Sequence, residues 1–326
     1  MPGTKAKIPA RILVTRRLPP NVEARLARDY QATLNADDRN YSSAEILDAA
    51  DGHDGILCCS SEKFSADVIS ALPGCVRILA TFSVGHEHID VPAAHKRGLT
   101  VTNTPDVLTD ATADIAMLCL LAAARRGAEG DRLVRAGEWK GWHTTMMLGT
   151  HVSGKRLGVL GMGRIGRAVA QRGRGFRMSI HYHNRSRLDD DLEQGAVFHE
   201  TPESLLAVSD FFSINAPSSP ETQKFLNAER IALLPDGAVV ANTARGNMVD
   251  DDALIAALQS GKVAAAGLDV FDGEPSVHPG YRSLDNVFLL PHLGSATHET
   301  RDAMGFCCLD NLDAFFSGKP CPTPLT

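Results

Sequence analysis

The chain has 326 residues, of which 44% are hydrophobic and 22% are charged, as in a soluble globular protein large enough for two domains. Its formal net charge of −6 argues against a protein that binds nucleic acid or another polyanion. The apolar run 115–124 is too short to cross a membrane, and Arg16 and Arg17 interrupt any apolar segment of a signal peptide. The seven cysteines lack C-x-x-C spacing, which is typical of reduced thiols and predicts a cytoplasmic location.

Short apolar runs alternate with helical patterns along the first hundred residues. Helical patterns begin near Pro20, Ser65 and Pro92, between strands that are predicted at 12–15, 55–59, 76–81 and 99–102. This alternation predicts parallel strands joined by right-handed crossovers. The next helix, 110–126, is apolar nearly all round, as expected of a helix buried between layers.

The segment 127–153 interrupts this alternation, because it places Trp139 and Trp142 among polar residues. Two interpretations are open: a surface loop, or an arm that packs against a partner subunit. The alternation resumes after Gly154, with strands predicted at 157–160, 178–183, 211–214, 238–241, 267–270 and 287–290. The predicted fold class is therefore α/β, with two doubly wound parallel sheets.

The second series opens with a glycine-rich turn between a strand and a helix. The turn reads Gly161-Met-Gly163-Arg-Ile-Gly166, a G-x-G-x-x-G pattern. The first glycine permits the tight turn, the second leaves room for a pyrophosphate, and the third lets the helix and the strand pack closely. The helix N-terminus adds unpaired N–H groups and a positive dipole end. The pattern predicts a dinucleotide-binding domain.

The end of the following strand indicates which dinucleotide is preferred. NAD enzymes usually have an acidic residue here for the ribose hydroxyls, whereas this chain has Asn184, Arg185, Ser186 and Arg187. A carboxylate would repel a 2′-phosphate, but a guanidinium binds it with two donors and a serine hydroxyl adds a third. NADP(H) is therefore the predicted cofactor, with NAD(H) as the alternative. Arg187 is the weaker candidate, because it could simply point to solvent.

Three further segments at predicted strand ends carry a set of side chains suited to reducing a 2-oxo acid. They contain Arg245, Glu274 and His292. A guanidinium binds the substrate carboxylate or polarises its carbonyl, and an imidazolium donates the proton that neutralises the new alkoxide. A nearby carboxylate keeps the imidazole charged and oriented. These three residues are the predicted catalytic set.

With these motifs, the chain resembles the D-isomer-specific 2-hydroxyacid dehydrogenases over nearly its whole length. Segments 82–90 and 103–114 are similar to the family's substrate loop and to the start of its cofactor domain. The resemblance implies that the backbone amides of Val84 and Gly85 hold the substrate carboxylate, together with Arg245. The complete set of predicted cofactor-binding residues is Thr109, Gly161, Met162, Gly163, Arg164, Ile165, Gly166, Asn184, Arg185, Ser186, Ala216, Pro217, Thr243, Ala244, Asp269, His292, Gly294 and Ser295.

The resemblance also implies how the domains are connected. A Rossmann cofactor domain, 105–295, would be inserted into a flavodoxin-like substrate domain formed by 1–104 and 296–326. Within the cofactor domain, Asp269 and Ser295 would lie near the nicotinamide carboxamide and Thr109 near the cofactor. Members of the family pair through the cofactor domain, which implies a homodimer with the arm 139–148 at its interface.

Among members of the family, the chain looks most like the NADPH-dependent glyoxylate/hydroxypyruvate reductases, which implies a small 2-oxo acid as substrate. A 2-ketogluconate reductase or another D-2-hydroxyacid dehydrogenase is the alternative. A cofactor-sensing corepressor or scaffold is less consistent with an intact catalytic set.

Three local features add detail to this prediction. Ser218 replaces a commonly apolar residue and predicts a looser loop over the nicotinamide. The polar segment 60–63 either contacts a hydroxylated substrate or is a solvated loop. His86 and His88 lack metal-site spacing, so no metal is predicted, and neither is a nucleic acid or membrane partner.

Overall fold

The computed structural model describes residues 9–326, which pack into two compact units. The first unit extends to Leu108 and includes Ala296–Thr326, and the second is Thr109–Ser295. Each unit is a parallel sheet whose strands alternate along the chain with helices. The prediction of an α/β protein with two doubly wound parallel sheets is therefore confirmed.

The first unit has a five-stranded parallel sheet in the order β2-β1-β3-β4-β5. Its strands are β1 (Arg11–Val14), β2 (Gln31–Thr33), β3 (Gly55–Cys58), β4 (Ile78–Thr81) and β5 (Thr100–Thr102). Its helices are α1 (Pro20–Asp29), α2 (Ser43–Ala49), α3 (Ala66–Ala71), α4 (Val91–Arg97) and a C-terminal helix (His298–Phe316). The strand order reverses between β1 and β3, where Leu13 pairs with Ile56.

The core of this unit lies on both faces of its sheet, because β3 and β4 are buried at every residue. On one face the apolar side chains of α2, α3 and α4 pack together, including Ile46 and Ile69. On the other face α1 packs with the C-terminal helix through residues such as Leu26 and Leu309. The helices are thus held to the sheet by buried apolar area, which contributes roughly 25 cal/mol per Å².

The chain that follows the C-terminal helix pairs with the free edge of β5. The N–H of Leu325 donates to the carbonyl of Val101 at 2.7 Å, and Thr102 forms an antiparallel bridge with Pro324. The side chain of Asn311 donates to Thr323 Oγ1 at 2.8 Å and accepts from the Thr323 N–H at 3.0 Å. The end of the chain is therefore anchored both to the sheet and to the C-terminal helix.

The second unit has a seven-stranded parallel sheet in the order β12-β11-β10-β9-β6-β7-β8. Its strands are β6 (Arg156–Leu160), β7 (Ser179–His183), β8 (Val197–Phe198), β9 (Phe211–Ile214), β10 (Ala238–Asn242), β11 (Val263–Leu268) and β12 (Val287–Leu289). The strand order reverses between β6 and β9, and in open α/β sheets ligands bind at the carboxyl ends of the strands on either side of such a reversal.

Eight α-helices belong to the described part of the second unit. They are α5 (Thr109–Ala124), α6 (Gly127–Arg135), α7 (Arg164–Gly175), α8 (Asp190–Glu193), α9 (Pro202–Leu206), α10 (Ala228–Leu233), α11 (Asp251–Ser260) and α12 (Pro279–Arg282). The predicted burial of α5 is found over much of its surface, where Ala113, Ala116 and Leu120 pack in the core, although Leu118 is exposed. A short 3₁₀ turn, Gly246–Met248, follows β10.

The structure differs from the sequence-based elements at one helix and three strands. The segment predicted to be irregular from residue 127 begins with α6, a helix that has no buried residue and therefore carries no strong core signal. Strand β11 begins at Val263 rather than at 267, because its first half is rich in alanine, a poor strand former. The short edge strands β2 and β8 were not predicted, since each is exposed and only two or three residues long.

Candidate active site

Apart from Thr109, the predicted cofactor and catalytic segments of the second unit follow strands of one parallel sheet, so they lie along the same carboxyl edge. Gly161 follows β6, Asn184 follows β7, and Ala216 lies two residues beyond β9. Thr243 follows β10, and Asp269 follows β11. His292 lies three residues after the end of β12.

The glycine turn has the shape that a bound pyrophosphate requires. Gly161 has φ +88°, and a Cβ there would lie 2.5 Å from the Ala216 nitrogen. A Cβ on Gly166 would lie 2.1 Å from the Gly161 oxygen, whereas nothing comes within 4 Å of a Cβ on Gly163. Gly163 is the N-cap residue of α7 and has no side chain. It therefore supplies no side-chain acceptor to the N–H groups at the start of the helix, where Arg164 and Ile165 lie. These residues fit a dinucleotide phosphate.

The strand end that predicted NADP(H) contains residues in three different environments. The Asn184 side chain accepts from the Met162 N–H at 2.6 Å, so it braces the glycine turn. Arg185 and Ser186 are exposed at the same edge. Arg187 does not simply point to solvent, because its guanidinium pairs with the buried Glu193 at 2.9 Å. Arg185 is therefore the cation of this loop that remains available to a phosphate.

The loop after β9 is held by hydroxyl groups. Ser218 Oγ hydrogen bonds with the Asn247 side chain at 3.1 Å, and Thr222 Oγ1 accepts from the Ser219 N–H at 2.7 Å. Ala216 and Pro217 precede these contacts, and Ala216 abuts Gly161. The looser loop that was expected from Ser218 is thus not what the structure shows: the serine hydroxyl supplies an anchor.

His292 and Glu274 form a hydrogen-bonded pair. The distance from His292 Nδ1 to Glu274 Oε2 is 2.8 Å, and the Phe271 N–H donates to Glu274 Oε1 at 2.8 Å. Burial opposes ionisation of Glu274, but the His292 and Phe271 hydrogen bonds, with the charges of His292 and Arg245, hold its pKa below the ordinary value. An ionised Glu274 accepts the Nδ1 proton, and this leaves Nε2 as the ring atom that can give a proton to a ligand.

The backbone around His292 is fixed by Asp269. The Asp269 carboxylate accepts from the Leu293 N–H at 2.6 Å and the Gly294 N–H at 2.8 Å, while the His292 N–H donates to the Asp269 carbonyl at 2.9 Å. Burial raises the pKa of Asp269, although these amides and the nearby His292 oppose the shift. His292 has φ +54°, an uncommon conformation for a residue with a side chain. The ring direction is therefore set by the surrounding bonds.

Arg245 lies in the turn that follows β10. Asn242 organises this turn, because its side chain accepts from the Ala244 N–H at 3.0 Å and donates to the Arg245 carbonyl at 2.9 Å. A Cβ on Gly246 would lie 1.8 Å from the carbonyl carbon of Phe271, so the turn packs directly on the segment that leads to Glu274. Sequence reasoning did not single out Asn242; the available signal was a polar residue directly after the predicted apolar strand 238–241.

An apolar cavity of about 290 Å³ borders the histidine–glutamate pair. His292 and Glu274 form its polar wall, and the apolar wall includes Phe271, Val277 and Leu289. Such a mixture of apolar lining and a few placed polar groups is typical of small-molecule sites.

The remaining cofactor positions lie at the beginning and at the end of the second unit along the chain. Thr109 is the first residue of α5, and the nearby Thr112 side chain donates to the Gly294 carbonyl at 3.2 Å. Ser295 is the last residue of the unit. The start of α5 is thus tied to the loop that holds His292.

In the first unit, Val84 and Gly85 lie in the turn that follows β4. The neighbouring segment 60–63 is only partly solvated, because Glu62 is buried and accepts from the Thr15 hydroxyl and the Cys59 N–H, both at 2.8 Å. Glu62 is therefore structural, and the exposed Ser60 is the hydroxyl of this segment left for a ligand.

Three further observations concern the described residues as a set. Between residues 9 and 326, no cluster of three or more His, Cys, Asp or Glu side chains is arranged to hold a metal ion. No helix in this part of the chain is long and apolar enough to cross a membrane. All seven cysteines are free, and Cys58, Cys119 and Cys308 are buried.

Comparison with known proteins identifies a family and several relatives. The family profile "D-isomer specific 2-hydroxyacid dehydrogenase, NAD binding domain" matches residues 117–294. A glycerate dehydrogenase from Hyphomicrobium methylovorum is 43% identical over 310 residues, which cover 94% of this chain and 96% of that protein. A glyoxylate reductase from Thermococcus onnurineus is 42% identical over 96% of this chain and 95% of its own length.

Solved structures show the same similarity. An NADPH-dependent glyoxylate/hydroxypyruvate reductase from Sinorhizobium meliloti, in complex with NADP and malonate, superposes with a TM-score of 0.84. It is 35% identical, and the match covers 98% of this chain and 97% of the other. The similarity therefore spans both units of the chain.

Proposed function

The chain belongs to the D-isomer-specific 2-hydroxyacid dehydrogenase family, and we propose that it reduces glyoxylate and hydroxypyruvate with NADPH as hydride donor. The observation that carries the proposal is the His292–Glu274 pair at 2.8 Å on the carboxyl edge of a dinucleotide-binding sheet. Hydride transfer to a ketone or aldehyde needs a proton at the oxygen, and this pair can supply it. The glycerate dehydrogenase relative fits the same reaction, because reduction of hydroxypyruvate yields glycerate.

Each catalytic side chain has a defined task in this proposal. His292 donates its Nε2 proton to the carbonyl oxygen while Glu274 stabilises the imidazolium through Nδ1. Arg245 binds the substrate carboxylate or polarises the carbonyl, and the amides of Val84 and Gly85 bind the carboxylate. The nicotinamide cofactor supplies the hydride when bound.

The preference for NADPH over NADH is supported by the residues after β7. Asn184 accepts from the Met162 N–H, so it fixes the glycine turn. Arg185 supplies the charge that pairs with a 2′-phosphate and Ser186 adds a donor, whereas Arg187 is occupied by Glu193. The Sinorhizobium meliloti relative, solved with NADP, is consistent with this choice.

The proposal is tested by steady-state reduction of glyoxylate, hydroxypyruvate and 2-ketogluconate with NADPH and with NADH. We expect the first two acids to have the higher kcat/KM, and NADPH to exceed NADH. His292→Ala should lower kcat by about 10² to 10⁴, the usual contribution of a positioned general acid. Negligible turnover of every 2-oxo acid, or a preference for 2-ketogluconate, would contradict the proposed substrate.

We further propose a homodimer formed through the second unit. The segment after α6 exposes Trp139, Trp142 and Leu148, and α6 itself exposes Val134. Exposed aromatic and aliphatic side chains concentrated in one segment are typical of a protein interface. A cytoplasmic location is consistent with seven free cysteines.

A further inference from the structure

The turn that carries Val84 and Gly85 is held from its carbonyl side by a set of hydrogen bonds in the first unit. We propose that a chain of three side chains, Thr81, Ser83 and His88, fixes the direction of the peptide groups in this turn and so positions its N–H groups for the substrate carboxylate. We call these three residues the Ser83 chain. The inference rests on the proposed function, which assigns the N–H groups of the turn to the carboxylate.

Three consecutive peptide groups of the turn have a partner on the carbonyl. The Ser83 carbonyl accepts from the Thr104 N–H at 2.9 Å, and the Val84 carbonyl accepts from Asn103 Nδ2 at 2.9 Å. The Gly85 carbonyl accepts from Ser83 Oγ at 2.7 Å. Because each carbonyl shares a plane with the next N–H, the first two bonds fix the N–H directions of Val84 and Gly85. The bond from Ser83 Oγ to the Gly85 carbonyl closes the turn across these two peptide groups and so restrains both.

The N–H groups of Val84 and Gly85 have no acceptor among the residues that the structure describes. Val84 and Gly85 are partly buried, so these two N–H groups are open to an acceptor such as a carboxylate. The turn thus combines satisfied carbonyls with two open donors.

The direction of the Ser83 chain follows from the number of hydroxyl protons. Ser83 uses its single hydroxyl proton on the Gly85 carbonyl, so in its 2.8 Å contact with Thr81 Oγ1 it must accept. Thr81 then donates to Ser83 and accepts in its 3.0 Å contact with His88 Nε2. The chain therefore runs from the His88 Nε2–H through Thr81 and Ser83 to Gly85, and it requires the Nε2–H tautomer when His88 is neutral.

Burial makes these bonds effective. Thr81 is fully buried and Ser83 is 9% exposed, so water cannot readily replace a lost partner. A buried group that loses its partner is costly, and the turn would move to satisfy it. These residues are accordingly positioning residues, because they act on the substrate through the peptide groups of the turn.

The first test compares Ser83→Ala with Ser209→Ala. Ser209 is a matched control, since it is buried in the second unit and also donates to a carbonyl, that of Leu205, at 2.7 Å. We expect Ser83→Ala to raise KM for glyoxylate by about tenfold, as expected for one lost buried hydrogen bond, with kcat and the Kd of NADPH within about threefold of wild type. Ser209→Ala should lower the stability without changing KM.

The second test examines the direction of the chain. His88→Leu should raise KM for glyoxylate, whereas His88→Gln, which keeps an N–H donor, should leave KM close to the wild-type value. ¹⁵N NMR of the wild-type His88 ring should show a protonated Nε2. Equal KM values for the Gln and Leu variants, or an Nδ1–H tautomer, would overturn the direction.

The two proposals fail in different ways. Wild-type activity on glyoxylate combined with an unchanged KM in Ser83→Ala would overturn the Ser83 chain and leave the proposed function standing. If wild type does not reduce glyoxylate, the proposed function fails. Titration of the NADPH complex with oxamate then reports on the turn directly, because weaker oxamate binding in Ser83→Ala supports the chain and equal binding overturns it.

Discussion

At the scale of single residues, the negative charge on Glu274 determines how well His292 can act as an acid. Hydrogen bonds from His292 and the Phe271 N–H lower the pKa of Glu274 against the effect of burial, so it remains ionised throughout the neutral range. A carboxylate beside Nδ1 favours the imidazolium, which is the form that donates the proton.

Glu274→Gln therefore should affect the pH profile of reduction as well as its rate. Glutamine preserves the shape and can still accept from Nδ1, but it does not stabilise the imidazolium. We expect the basic limb of the kcat profile to move to lower pH, since His292 then loses its proton more readily. Initial rates from pH 5 to about pH 9 measure this, and a profile that keeps its basic limb would contradict the role of Glu274.

The two arginines after β7 provide a matched pair for cofactor selectivity. Arg185→Ala should weaken NADPH binding by roughly ten- to a hundredfold and leave NADH nearly unchanged, because a charged hydrogen bond contributes about 1.5–3 kcal/mol. Arg187→Ala removes the same charge from the same loop, but its guanidinium is engaged with Glu193, so selectivity should stay near that of wild type. Fluorescence titration with both cofactors is the measurement. Equal losses for NADPH and NADH in Arg185→Ala would assign Arg185 to the turn rather than to the 2′-phosphate.

At the scale of secondary-structure elements, an ion pair joins the amino-terminal ends of β6 and β9. The Asp210 carboxylate accepts from Arg156 through Nη2 at 2.7 Å, Nε at 3.0 Å and the backbone N–H at 3.0 Å. The side-chain bond from Arg156, together with its backbone N–H and charge, lowers the pKa of Asp210 against the effect of burial.

Asp210→Asn should destabilise the second unit in a pH-dependent way. A carboxylate whose folded-state pKa is depressed contributes stability above its unfolded pKa and loses that contribution as the pH falls through the folded value. We expect a loss of about 1 kcal/mol at pH 7, since the pair is partly exposed, and a much smaller loss near pH 3. Urea unfolding at both pH values measures this. Asp236→Asn, which removes a carboxylate paired with Lys262 and 91% exposed, is the control and should change little.

The elements also show which parts of the fold the sequence could predict. Strands such as β3 and β9 were predictable because an apolar run buried on both faces is a local property. Helix α6 was not predictable, because none of its residues is buried in the described chain and it therefore carries no strong core signal. The first half of β11 was not predictable either, because it consists largely of alanine.

The same limit applies to the candidate site. Glycines and the residues Arg245, Glu274 and His292 stand in recognisable patterns, whereas the pairing of Arg187 with Glu193 depends on where α8 begins. The Ser83 chain depends on the path of the turn after β4, which no periodicity encodes.

At the scale of the whole molecule, the exposed apolar segment after α6 predicts how the proposed dimer can be broken. Leu148→Ser together with Trp142→Ser should shift the mass measured by light scattering toward a monomer, because Trp142 is 78% and Leu148 68% exposed in the single chain. Leu233→Ser, on α10, removes another exposed leucine and should leave the mass unchanged. A monomeric wild-type protein would contradict the dimer.

The pairing of the chain's last residues with β5 has a consequence for handling the protein. An uncovered β5 would present open N–H and C=O groups to other molecules, and such strand edges promote aggregation. Here Leu325 and Pro324 occupy that edge. Removal of residues 322–326 would uncover this edge and should therefore yield a protein that precipitates on concentration.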